Sequence, residues 1–430
     1  MLISIVIPTR DRAEVLRYSL AACTRICDPK IEIIVSDNSS VDETPEAVAR
    51  SQDSRIRYVR TPQRYSMRQN FEFAVNHARG DYICMLGDDD APIPNQFPHL
   101  RALLERYSPD TLTGSLVRYA WPSPEAAHNG GRLKLRFKSL YGGCKMVSGE
   151  QLRSGLESDG AVVARFAPRI YGGVASRRVV EGLRSKTGQL FMATSPDIYF
   201  IFASPSQIKR HLVVTHPFFI GGSSPRSNGA SYHRWRRNQG DGAELKKFLD
   251  EGNSDPIVDV IPLASSLQIN SLSHLESANR YAFDGALSID YEREFERAIR
   301  SLDELDEGRR QIAVETLAQF ASERGLSPAL CDVQTLLGRC RPVQKTIRSR
   351  PNGKSSARSY LSLNRVAVDL TSSNRTDIDA AAAAYEHLIG NPAIHGGLAR
   401  RFAWAKLVGR AFSLMRRPGS FLPAQAVLRV

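Results

Sequence analysis

The sequence predicts an α/β fold: a Rossmann-like, mostly parallel sheet flanked by helices, followed by a helical C-terminal subdomain. Three observations carry that expectation. Short β-branched runs alternate with segments of helical composition through the first ninety residues. The pattern then loosens into short apolar runs and glycine pairs up to about residue 240, and beyond residue 250 apolar residues recur at helical spacing. Alternation of this kind points to parallel neighbours, because parallel strands need a crossover and a helix supplies it.

Each element has its own reason. Leu2–Ile7, Ile31–Ser36, Arg55–Val59 and Asp81–Leu86 read as strands, the apolar runs among them as buried ones. Ala13–Ile26, Thr44–Ser51 and Ser66–Arg79 read as the intervening helices, the last stopped by Gly80. Thr111–Tyr119, Phe200–Phe202 and His211–Thr215 are expected strands of a mixed second half, with turns at Gly142-Gly143, Gly172-Gly173 and Gly221-Gly222. Pro262–Asp284, Tyr291–Leu305 and Gly308–Arg324 show amphipathic helical spacing. The expected organisation is an α/β domain over residues 1–240 with halves at 1–108 and 109–240, a helical subdomain at 250–335, a basic linker at 336–374 and a helical tail at 375–430. The linker assignment rests on the acid-free stretch from Arg339 to Arg358.

The chain has 430 residues, 42% hydrophobic and 24% charged, which excludes fibrous and wholly disordered classes. Its 58 Lys+Arg against 45 Asp+Glu give a net charge of +13, which implies an anionic partner: nucleic acid, a lipid surface or a phosphorylated substrate. The six cysteines form no CxxC pair, so neither a disulfide framework nor a zinc site is expected. No signal peptide is evident at the N-terminus and no apolar run is long enough to span a bilayer, so a cytoplasmic protein is expected.

In open parallel sheets, ligands bind at the carboxyl ends of the strands. Those ends here are Pro8-Thr9-Arg10, Asp37-Asn38 and Gly87-Asp88-Asp89-Asp90. Three adjacent carboxylates repel one another and call for a cation or a donor-rich ligand; hard, oxygen-preferring Mg²⁺ or Mn²⁺ is the expected ion. A solvated acidic turn is the alternative. Asp37 can accept from a base N–H or ribose hydroxyls, or equally form an Asx turn or helix cap. Arg10, Arg12, Arg64 and Arg68 are guanidiniums suited to a diphosphate near helix starts.

The segments ISIVIPTRDRAEVLRYSL, EIIVSDNSSVDET and NFEFAVNHARGDYICMLGDDDAPIP, in that order and spacing, resemble the N-terminal half of the family 2 glycosyltransferases of GT-A fold. The resemblance is close over the first hundred residues and weak to about residue 240. It implies a nucleotide-diphosphate sugar donor, a divalent metal at a DxD motif and inversion at the anomeric carbon. By position, Pro8, Thr9, Arg10, Arg12, Asp37 and Arg68 would line the nucleotide pocket, with Asp88 and Asp89 at the ribose or metal and Asp88 and Asp90 at the metal. Many members read D-x-D-D where this chain has Gly87 first, so Asp88, Asp89 and Asp90 compete for the metal role. The resemblance also implies an acidic general base about a hundred residues later, a place Asp197 fills; Asp159 and Glu150 are poorer candidates. His216 resembles the late histidine that completes some metal shells, with a core histidine as the alternative.

Ser227-Asn228 lie in a Gly/Ser-rich segment suited to a mobile lid. Near the C-terminus, LARRFAWAKLVGRAFSLMRR reads as a basic amphipathic helix that would lie on an anionic membrane or dock on the protein's own core. The expected activity is therefore sugar transfer onto a hydroxyl of a glycan or lipid-linked acceptor, in bacterial cell-surface polysaccharide synthesis, by a cytoplasmic protein associated peripherally with the membrane. Two rivals are a basic nucleic-acid-binding protein, which would need a reading motif the sequence lacks, and a sugar-phosphate nucleotidyltransferase, which would need glycines after the first strand.

Overall fold

The computed structural model describes residues 1–122, 130–136, 143–227, 250–252, 255–257, 259–261, 266–303, 305–340, 360–361, 365–371 and 375–390, with a few isolated positions besides. Strands β1 (Ile3–Thr9), β2 (Ile31–Asp37), β3 (Ile56–Arg60) and β4 (Tyr82–Met85) are parallel and run β3-β2-β1-β4 across the sheet. The order reverses between β1 and β4, the position at which open sheets of this kind bind ligands beyond the carboxyl ends of their strands. β1 is buried along its whole length and β2 nearly so, which is why both read as continuous apolar runs.

The crossover helices are α1 (Ala13–Thr24), α2 (Thr44–Ala49) and α3 (Met67–Asn76). Ser66 starts α3 with a reciprocal capping box, its hydroxyl accepting from the Gln69 N–H while the Gln69 side chain accepts from the Ser66 N–H. β5 (Ala91–Pro92) and α4 (Phe97–Tyr107) follow. The second half adds β6 (Thr111–Ala120), β7 (Arg132–Arg136), β8 (Cys144–Ser148), α5 (Gly149–Asp159), β9 (Val174–Ser176), α6 (Arg177–Thr187), α7 (Pro196–Ala203) and β10 (Arg210–Ser223). β9 joins β4 to β6 by antiparallel pairing on both sides, and β10 runs parallel to β6.

The strand expected at Phe200–Phe202 is a helix. Pro196 occupies the first turn of α7, where its missing N–H costs nothing, and Asp197 follows with a charge that suits a helix N-terminus. The helical subdomain forms as expected, from α8 (Leu267–Ala282), α9 (Tyr291–Arg300), α10 (Glu307–Glu323), α11 (Pro328–Cys331) and α12 (Val333–Arg339). Its apolar faces join those of α7 and the sheet in one continuous core.

The division expected after residue 335 needs correction. β11 (Tyr360–Leu361) and β12 (Arg365–Asp369) extend the main sheet through β12–β7 pairing, and α13 (Ile378–Ile389) is almost wholly buried. Arg25, which caps the C-terminus of α1, meets Asp379 at 2.8 Å and Glu386 at 2.5 Å, tying α13 to the first crossover helix. Residues 365–371 and 375–390 are therefore part of the α/β domain, because the alanine-rich face of α13 covers α1 and the β5 edge. Arg341–Arg358 of the expected linker and nearly all of the basic C-terminal helix lie outside the described residues, as does Asn228 of the expected lid. No described helix is long and apolar enough to cross a membrane.

Candidate active site

The first strand ends at Thr9 and the fourth leads into Gly87-Asp88-Asp89-Asp90, so the β1/β4 reversal brings the two segments side by side. Thr9 Oγ1 donates to Asp88 Oδ2 at 2.7 Å across it. All three aspartates are about 4% exposed, an environment in which unpaired carboxylates are costly. Arg12, just before α1, serves two of them: Nη2 lies 3.0 Å from Asp89 Oδ2 and Nε lies 3.2 Å from Asp88 Oδ1. Arg12 Nη2 also donates to Ser224 Oγ at 2.5 Å, while the buried Nε has no aligned hydrogen-bond acceptor.

The three carboxylates differ electrostatically. Burial would raise Asp89, but the Arg12 charge and donation from the Ser224 N–H (3.1 Å) and Oγ (2.6 Å) outweigh it and hold it low. Asp88 is pushed up to about 6, chiefly by burial, which the Arg12 charge only partly offsets. Asp90 is pushed up to about 7 by burial and by the neighbouring Asp89 charge. The donors it accepts from are neutral: the Gly222 N–H at 2.7 Å and the Gly87 N–H at 3.0 Å. Burial would lower the Arg12 guanidinium, but the Asp88 and Asp89 charges outweigh it and hold it above its usual range.

The other expected residues are distributed as follows. Pro8 lies in buried β1 beside Ser36. Arg10 reaches Glu251 at 2.9 Å. Asp37 is fully buried, accepting from the Ser40 N–H at 2.8 Å, Tyr58 Oη at 2.5 Å and Arg60 Nη1 at 2.7 Å. Arg64 is exposed and paired with Asp11. Arg68 faces inward: its guanidinium is bound by Asp255 at 2.6 Å and 2.9 Å and by Gln189 Oε1 at 2.5 Å, so it fastens α3 to the segment that leads into α8.

Asp197 sits half-buried in the first turn of α7, within coulombic reach of Tyr171, Arg169 and His274. Its carboxyl is raised above the ordinary range, first by burial, although His274 and Arg169 pull the other way. His274 Nε2 accepts from the Ser195 N–H and Nδ1 meets the Asn270 carbonyl. Glu150 and Asp159 are exposed at opposite ends of α5.

His216 is placed apart from the carboxylates, which corrects its expected metal role. It lies in the middle of β10, six residues before the Gly222 that touches Asp90, which is about 20 Å of extended strand. There Nε2 meets Gln96 Oε1 at 2.7 Å, His99 and Phe218 pack around the ring, and burial lowers its pKa to about 3. Among the described residues, no group of three or more His, Cys, Asp or Glu is arranged to hold a metal ion. The oxygen donors at this pole still suit Mg²⁺ or Mn²⁺, which is commonly held by one or two carboxylates and completed by substrate phosphates and water.

Sequence reasoning missed Tyr171, Gly222, Ser224 and Trp121, whose Nε1 donates to the Asp89 carbonyl at 3.0 Å. The only sign was the Gly172-Gly173 and Gly221-Gly222 pairs, read as turns. Two clefts among the described residues, about 480 Å³ beside Ile257, Arg280 and Phe320 and about 540 Å³ beside Glu150, Lys209 and Phe283, lie away from the carboxylates. Chemistry, not hollow size, marks the site.

Residues 4–150 match the model of the family described as glycosyl transferase family 2. The matched segment of the chain carries a glycosyltransferase domain, and Thr9, Arg12 and the three aspartates lie within it. No curated protein matches the chain. Among solved structures, S. aureus TarS 1-349 in complex with UDP-GlcNAc is 10% identical with a TM-score of 0.45, covering 98% of this chain and 93% of that one. The mannosyltransferase PcManGT from Pyrobaculum calidifontis, in complex with GDP-Man and Mn²⁺, is 15% identical with a TM-score of 0.34, covering 78% and 85%. Likenesses at these identities and scores add no weight to the assignment.

Proposed function

We propose that the protein transfers a sugar, with inversion, from a nucleotide-diphosphate sugar to a hydroxyl of a glycan or lipid-linked acceptor, in cell-surface polysaccharide synthesis. The observation that carries this reading is the buried triple carboxylate at the β1/β4 reversal, served among the described residues by the Arg12 guanidinium. Arg12 compensates Asp88 and Asp89, whereas the described contacts of Asp90 are with neutral donors, which favours Asp90 as the carboxylate that meets a cation. Asp88 is the second candidate. The cation would supply Lewis-acid stabilisation of the departing diphosphate. The Arg12 guanidinium, buried beside Asp88 and Asp89, carries the charge that would suit an oxygen of that diphosphate.

Thr9 and Arg12 are the residues of this chain disposed to orient the phosphates, and Asp37, covered by Tyr58 and Arg60, marks the base or ribose side. Asp197 is the proposed general base, taking the proton of the acceptor hydroxyl as its oxygen attacks the anomeric carbon from the face opposite the diphosphate. Its raised pKa keeps it closer to a working proton acceptor than an exposed aspartate.

Donor-dependent stabilisation tests the reading. UDP, dTDP or GDP should raise the melting temperature in the presence of Mg²⁺ or Mn²⁺ and not after chelation, and Asp90→Asn should abolish the rise. A melting temperature indifferent to every nucleotide and metal pair would refute it.

A further inference from the structure

β10 ends at the same pole as the carboxylates, and the residue that follows it closes a ring of contacts there. Gly222 and Ser223 pair with Tyr119 and Ala120 at the end of β6, and the Trp121 N–H donates to the Ser223 carbonyl at 3.1 Å, so the sheet holds the backbone that leads into Ser224. Ser224 is 3% exposed. Its N–H and its hydroxyl both donate to Asp89 Oδ2, at 3.1 Å and 2.6 Å. A hydroxyl has one proton to give, and with that proton on Asp89 its oxygen is left to accept. Arg12 Nη2 supplies the donor at 2.5 Å and stands 3.0 Å from the same Asp89 oxygen.

A guanidinium carries five N–H donors in one rigid plane, one on Nε and two on each Nη. In Arg12, Nη2 is engaged by Ser224 and Asp89, and Nε stands 3.2 Å from Asp88. Nη1 makes no hydrogen bond among the described residues. Contacts to the two carboxylates alone would let the plane tilt, and the Ser224 hydroxyl, itself fixed by Asp89, removes that freedom. We propose that Ser224 is a positioning residue for the donor's diphosphate: its hydroxyl, bridging Asp89 and Arg12, fixes the guanidinium plane in which Nη1 is left for a phosphate oxygen. The inference rests on the glycosyltransferase reading. It adds a residue 212 positions from Arg12 that acts through the guanidinium and not on the phosphate itself.

The experiment is calorimetric titration of the full chain, in Mg²⁺, with UDP or GDP, whichever stabilises the wild type, and with the matching monophosphate, alongside the melting temperature without ligand. Ser224→Ala is expected to weaken diphosphate affinity by about tenfold or more, the usual worth of a hydrogen bond to a charged group. Monophosphate affinity should change far less. Ser224→Thr, which keeps the hydroxyl, should retain diphosphate affinity. In an Arg12→Gln background, adding Ser224→Ala should cost no further diphosphate affinity, because the two residues act as one unit. If Ser224→Ala does not fold, Ser224→Cys carries the same comparison, its thiol being a weak donor and acceptor. Unchanged diphosphate affinity on loss of the hydroxyl, equal losses for diphosphate and monophosphate, or a full further loss in the Arg12→Gln background overturns the proposal while leaving the wild-type activity reading intact. A wild type that binds no nucleotide overturns both.

Discussion

Replacing Asp255 by alanine should be among the most damaging single changes in the molecule. Asp255 accepts from Ser66 Oγ, from Arg68 Nε at 2.9 Å and Nη2 at 2.6 Å, and from the Ile257 N–H at 3.0 Å. The two side chains are 3% and 2% exposed, so water can take over very little of the lost interaction. In the variant Arg68 keeps Gln189 and the Phe191 carbonyl but loses its counter-ion while remaining buried. Breaking a buried pair in this way costs about 3–5 kcal/mol. Urea denaturation followed by circular dichroism should show the main transition moving to lower urea by that amount. Asp255→Leu combined with Arg68→Met should recover most of the loss, because removing both charges leaves none uncompensated. A cost for Asp255→Ala below about 1 kcal/mol, the range of solvated pairs, would refute the reasoning and return Arg68 to the list of nucleotide ligands.

Other tests follow from single residues. A Cβ at Gly222 would strike the Asp89 carbonyl, whereas one at Gly221 would meet only the Val117 carbonyl at 3.8 Å. Gly222→Ala should therefore lose nucleotide-dependent thermal stabilisation, and Gly221→Ala should keep it. His216 is held neutral with a pKa of about 3 against an ordinary 6.5, so the unfolded chain binds more protons between those values and stability falls as pH drops below 6.5. This group alone should remove about 2 kcal/mol by pH 5, a loss His216→Gln should relieve in denaturation curves compared at pH 7.5 and 5. Truncation after residue 359 removes β12 and α13 and uncovers α1; it should lower the yield of folded protein and the urea midpoint together, seen by circular dichroism.

Much of the nucleotide half was legible because its signals are local. Period and length mark β1, β2 and β4, and Ser66 opens the third helix where expected, although that helix ends at Asn76, short of the expected Gly80 stop. Strand-end position alone brought out Thr9, Arg12 and the three aspartates, since the β1/β4 reversal follows from strand order. What the sequence hid depends on distant pairing. Tyr171 comes beside Gly87 only because a turn 86 residues on pairs with Met85, and Asp255 meets Arg68 across 187 residues. The aromatic run Tyr199-Phe200-Ile201-Phe202 has strand-like composition, yet Pro196 and burial on all sides make it a helix. Likewise β12 is too short to announce itself and becomes a strand by pairing with β7.

The most direct test is the rate of sugar consumption from UDP-, dTDP- and GDP-sugars with Mn²⁺ or Mg²⁺, compared between the wild type and Asp197→Asn. The expected result is metal-dependent consumption of at least one donor, abolished by chelation. In Asp197→Asn the rate should fall by about 10²–10⁴-fold, the usual contribution of a positioned base, with donor affinity unchanged. No consumption of any donor, or a full rate in Asp197→Asn, would contradict the assignment of this strand-end site to inverting sugar transfer.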